Sequence, residues 1–96
     1  MVFLEKYGYT TDEINDFIDK VPEEMINALN KVSKLVDANL DYLKNLGVTN
    51  LKEIFNAYYE LFMADHSTFV NIFNKYDRED LIEKLAKNVA IIEYLW

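Results

Sequence analysis

The sequence predicts an all-α fold, an irregular helical bundle or a short helical-repeat solenoid of four to six helices, in one domain spanning residues 1–96. Three observations carry this. Two glycines and one proline in 96 residues are too few to turn the many short strands of an all-β domain. Apolar residues recur at helical spacing along almost the whole chain, the signature of helices with one buried face. Glycine stops and N-cap residues punctuate those apolar stripes, as they do where one helix ends and another begins.

The elements follow in order. Leu4 and Tyr7, three residues apart and followed by Gly8, predict a short helical turn closed by the glycine. Thr10 and Glu13 form the spacing of a capping box ahead of Ile14, Phe17, Ile18 and Val21, so a helix starts there. Pro22 ends that helix by forcing Val21 out of the α region. It also suits the first position of the next helix, with Glu23 and Glu24 favourably placed in its first turn. An apolar stripe then runs from Met25 through Leu29, Val36, Leu40 and Leu43 to Leu46, and predicts one long, bent helix up to the stop at Gly47. Ser33 or the Asp37-Ala38-Asn39 stretch is the place for a break, because such side chains compete for backbone hydrogen bonds. Asn50 and Glu53 make a second cap pair, opening a helix that ends near Ala64. Asp65 or Ser67 caps a short helix over 69–76, and Asp77 with Asp80 caps a last one running from Leu81 to the end.

Composition bounds the function. Half the residues are apolar and 14 are aromatic, ample for one core and against intrinsic disorder. With no cysteine, disulfides, thiolate metal sites and cysteine nucleophiles are excluded together. The net charge is −7, distributed as −3, −2 and −2 over residues 1–34, 35–64 and 65–96. Nucleic-acid and anionic-membrane binding both require clustered Lys and Arg, and the chain has one Arg and nine scattered Lys. No apolar run reaches the roughly 18 residues of a membrane span. The start, Met1-Val2-Phe3-Leu4-Glu5-Lys6, lacks the pattern of a signal peptide, and the cytoplasm is the expected compartment.

The unit Leu43-Lys44-Asn45-Leu46-Gly47-Val48-Thr49-Asn50-Leu51-Lys52-Glu53-Ile54 is foreshadowed by Leu4 to Ile14, with Pro22 beyond it. Both stretches resemble the helix-turn-helix unit of the mitochondrial transcription termination factor family. That resemblance implies stacked helical repeats, and with them binding of duplex nucleic acid through a basic concave face. It is the alternative to the function that the charge favours.

Several constellations dissolve on inspection. Asp65-His66-Ser67 gathers the residue types of a hydrolytic triad, but neighbours in sequence do not supply its convergent geometry. A single His and no Cys leave no zinc set. Asp37-Ala38-Asn39-Leu40-Asp41 begins like a calcium loop, but Tyr42 and Val48 occupy the positions that need Gly and Glu. No metal, cofactor or catalytic set is therefore expected. Lys31/Lys34 and Lys84/Lys87 are candidate phosphate contacts only if the fold joins them.

Two features remain. Phe55, Tyr58, Tyr59, Phe62, Phe69, Phe73 and Tyr76 hold half the aromatics of the chain. Tyr58 and Tyr59, adjacent on a helix, point about 100° apart and cannot both be core. Asp12, Glu13, Asp16, Asp19, Glu23 and Glu24 make an acidic stretch relieved only by Lys20. The expected function is a non-enzymatic protein–protein interaction module. Tyr58, Tyr59, Tyr94 and Trp96 would be its anchors, and Asp12, Asp16, Asp19 and Glu23 its electrostatic face. The partner would be another protein or a second copy in a homodimer.

Overall fold

A computed structural model describes residues 1–95. Among these there are six α-helices and no strand: α1 (Thr11–Lys20), α2 (Glu23–Lys31), α3 (Ser33–Leu46), α4 (Leu51–Tyr58), α5 (His66–Asn74) and α6 (Arg78–Lys87). Three 3₁₀ segments, Val2–Tyr7, Tyr59–Met63 and Val89–Tyr94, supplement them. The predicted all-α class is therefore observed, as a bundle. α3 is its axis, packed by the Val2–Tyr7 segment, α2, α4, the Tyr59–Met63 segment and α5.

Local chemistry explains the boundaries. Gly8 (φ +88°) and Gly47 (φ +106°) both adopt the left-handed conformation that side chains other than glycine's resist. Thr10 and Glu13 close a complete capping box on α1, and the Asp77 carboxylate accepts from the Asp80 amide at the start of α6. Asp65, the earlier of the two candidate caps, precedes α5. Pro22 is the N-cap of α2 rather than its first residue, and its carbonyl accepts from the Met25 and Ile26 amides.

Other boundaries correct the sequence reading. The long helix from Pro22 to Leu46 is two helices, broken at Val32 (φ −110°, ψ 33°), beside Ser33, the first of the two break points that the sequence offered. Val32 is exposed, and no position between Leu29 and Val36 is fully buried, so the break falls where the core makes no demand on the side chains. The helix expected to reach Ala64 leaves the α conformation at Tyr58 (φ −131°, ψ 38°) and continues as the 3₁₀ segment. The last helix stops at Asn88, whose side-chain oxygen accepts from the Ala90 amide, a local bond that competes with the helix. The Asn50/Glu53 pair forms no capping box. The Asn50 amide turns away to donate to the Glu53 carboxylate and to the Leu85 carbonyl at 3.0 Å.

The aromatic cluster is mostly core. Phe17, Phe55, Phe62, Phe69 and Phe73 form a continuous run of rings with centroids 5.0–5.2 Å apart, in the favourable range for offset and edge contacts. Tyr76, beyond the end of α5, is exposed. The one buried polar side chain among the described residues is Asn39, fully enclosed on α3. Its amide donates to the Phe62 carbonyl at 2.9 Å and the Ala64 carbonyl at 3.0 Å. It thereby satisfies backbone groups that the 3₁₀ segment leaves without helical partners. Among the described residues, no helix is long and apolar enough to cross a membrane.

Candidate functional site

The capping box fixes where α1 begins, and its apolar face turns Phe17 inward against Phe55 of α4. That places Asp16, Lys20 and Val21 along one edge of α1, facing Asn56 of α4 and Tyr59 just beyond it. Together with Glu13 and Phe17 these residues line a groove of about 290 Å³. At its base the Tyr59 ring meets Phe17 edge-on at 5.6 Å and 90°. Its rim is acidic. Lys20 is drawn to Asp16 in an i,i+4 ion pair of 2.9 Å, and Lys52 donates to Glu13. The Glu13 carboxyl lies below its ordinary value, because it accepts the Thr10 amide and the Lys52 ammonium, and so it is ionised at neutral pH.

Tyr59 also borders a second depression of about 250 Å³ with Ala57, Tyr58, Glu60 and Leu61. The Tyr58 hydroxyl donates to Glu93 at 2.8 Å, and that bond pushes the Tyr58 phenol above its ordinary value. Tyr94 follows Glu93 and is 85% exposed, at the end of a segment packed on α4.

Of the residues singled out in the sequence, Asp16 and Tyr59 line the same groove and Tyr58 flanks it. Asp12, Asp19 and Glu23 are exposed on α1 and at the start of α2, outside both linings. Trp96 lies outside the described residues. Phe17, Val21 and Asn56 were not foreseen as lining residues. The i,i+4 spacing of Phe17 and Val21 marked a buried face, but only the packing of α4 shows that its edge stays open.

The other constellations have structural roles. His66 Nδ1 lies 2.8 Å from the Asn39 side-chain oxygen, while the Ser67 hydroxyl donates to Asp65 at 2.6 Å, so His66 is not aligned to take a proton from Ser67. Asp37 holds Lys6 and Tyr7 from within helical α3. Lys84 and Lys87 pair with Asp80 and Glu83. Among the described residues, no group of three or more His, Cys, Asp or Glu is placed to hold a metal ion. No family model, curated protein or solved structure matches the chain.

Proposed function

We propose that this domain is a non-catalytic docking module that receives a basic, amphipathic segment of another protein along the groove between α1 and Tyr59. The observation that carries the reading is the convergence of Asp16 and Tyr59. One comes from the acidic stretch and the other from the aromatic surplus, 43 positions apart in sequence, and they line one groove with Phe17 and Val21. Around it Asp12, Asp19, Glu23 and Glu24 stand exposed with Lys20 as the single cation of the stretch. A negative field of this kind steers a positive partner and rejects a negative one. A tyrosine presenting ring area at small entropic cost is a typical anchor of such a contact. Self-association through this face would set like charges against each other, so the occupant is a different protein.

The probe is a synthetic amphipathic Lys/Leu peptide, titrated into isotopically labelled protein and followed by amide chemical shifts. Saturable shifts are expected at residues 13–21 and 56–61, weakening as salt rises. Tyr59→Ala is expected to cost about 2 kcal/mol of binding, and Asp16→Lys to slow association. Shifts scattered over the surface, or duplex DNA bound as tightly as the peptide, would refute the reading. Light scattering that returned a dimer disrupted by Tyr59→Ala would replace the foreign partner with a second copy.

A further inference from the structure

A second cavity, apart from the docking groove, has the opposite charge. It measures about 340 Å³ and is lined by Lys6, Tyr7, Lys44 and residues 48–52, with Lys52 the third lysine. The chain carries 17 acidic residues against nine lysines and one arginine, yet three lysines and no carboxylate line this space. They come from three separate elements: the N-terminal 3₁₀ segment, the last turn of α3 and the first turn of α4.

We propose that this cavity is a binding site for a small organic phosphate. The Tyr7 ring has its centre 5.3 Å from Lys6 Nζ and 5.6 Å from Lys44 Nζ. With Val48 and Leu51 it offers an apolar surface to the organic part, while the lysines face the phosphate. The cationic groups keep capacity for a ligand. Lys6 donates to Asp37 through one contact, leaving further N–H donors of its ammonium unused. Lys52 donates to Glu13 with its side chain 40% exposed. Lys44 forms no ion pair among the described residues and is exposed. Compact ammonium groups of this kind bind phosphate as point charges. The volume falls in the range of small-molecule clefts.

The test is an amide-shift titration of labelled protein with phenyl phosphate, with inorganic phosphate, and with phosphatidylcholine vesicles containing or lacking phosphatidic acid, at constant ionic strength. Saturable shifts at Tyr7 and residues 48–52 are expected with phenyl phosphate and weaker ones with inorganic phosphate. Lys44→Ala is expected to lower that affinity about fivefold, while the charge-matched Lys34→Ala, outside the cavity, leaves it unchanged. Both positions are exposed, and circular dichroism confirms that each variant is folded. Saturation only by phosphatidic acid vesicles would support the same phosphate chemistry and assign it to a lipid headgroup. The absence of saturable shifts at Tyr7 and residues 48–52 in every arm would overturn the proposal. Equal losses in Lys34→Ala and Lys44→Ala would also overturn it, by showing diffuse charge attraction.

Discussion

The Lys52 ammonium donates to both carboxylate oxygens of Glu13, at 3.1 and 3.2 Å, joining the first turn of α4 to the first turn of α1. The same carboxylate accepts the Thr10 amide at 2.9 Å, so the residue that starts α1 also anchors it to its neighbour. The pair stands between the two cavities, with Glu13 on the acidic groove and Lys52 on the basic one.

This shared carboxylate should be visible in an acid titration. The Thr10 amide first and the Lys52 ammonium second hold the Glu13 carboxyl below its ordinary value of 4.5. A carboxyl depressed by folding stabilises the native state in full above its unfolded-state value. That contribution is lost as pH falls through the lower folded value. Side-chain carbon NMR should therefore show Glu13 titrating below 4.5. In Lys52→Met the midpoint should rise but stay depressed, because the Thr10 amide remains. An unchanged midpoint would show that the ion pair is solvent-screened to insignificance.

Tyr7 and Asp37 give a second pH-linked prediction. The buried Tyr7 hydroxyl donates to the Asp37 carboxylate and to its backbone carbonyl, pinning the N-terminal segment onto α3. Burial foremost, then the Asp37 bond, raises the Tyr7 phenol far above its ordinary value. Burial also acts to raise the Asp37 carboxyl, but the Tyr7 hydroxyl and Lys6 outweigh it and leave that carboxyl lowered. Tyr7→Phe should cost about 1 kcal/mol at neutral pH. The cost should shrink as pH falls below 3.8, the ordinary Asp37 value, where the unfolded chain takes up its proton first. It should shrink further as pH passes the lower folded value, where the wild type loses the ionised acceptor too. Urea unfolding at neutral and acidic pH measures both; an equal loss at the two values would contradict it.

Asn39 fixes the protonation of a histidine. Both hydrogens of its amide point at the carbonyls of Phe62 and Ala64, so its oxygen must face His66 Nδ1. The opposite orientation would set oxygen against two carbonyl oxygens. His66 Nδ1 therefore carries a proton, and ring-nitrogen NMR at high pH should show the Nδ1–H tautomer. Asn39→Leu should destabilise the protein by about 3 kcal/mol, because two carbonyls lose their donor in the interior. Asn39→Asp should cost more, since it buries a charge against the same carbonyls.

What the sequence revealed and what it hid follow one physical line. Gly8, Gly47, Thr10 and Asp77 were readable because each acts on its own backbone or on an amide three residues away. The break between α2 and α3 was readable in part: Ser33 marked the place, but the apolar side chain of Val32 fits the stripe, and only its dihedrals show that the helix stops there. Asn50 has the right chemistry for a cap, but the Leu85 carbonyl 35 positions away competes for its amide. Asn39 left a signal in its position on the apolar stripe of α3, where a polar residue demands a partner. The convergence of Lys6, Lys44 and Lys52 left none, because it is made entirely by tertiary packing.

Gly47 tests the reversal on which that packing depends. Its amide donates to the Leu43 and Lys44 carbonyls, and Arg78 Nε donates to the last carbonyl of the helix, that of Leu46, at 2.6 Å, so the end of α3 is pinned to the start of α6. A methyl group at position 47 would meet Arg78 Nη2 and Ile82 Cδ1 at 3.4 Å, ordinary van der Waals contact. The penalty of Gly47→Ala should therefore be conformational, about 1–2 kcal/mol for a left-handed L-residue. In chemically synthesised protein, D-alanine at position 47 should remove most of that penalty, because its mirror-image preference matches φ +106°. If D-alanine destabilised urea unfolding as much as L-alanine, the left-handed backbone conformation would not be the source of the penalty.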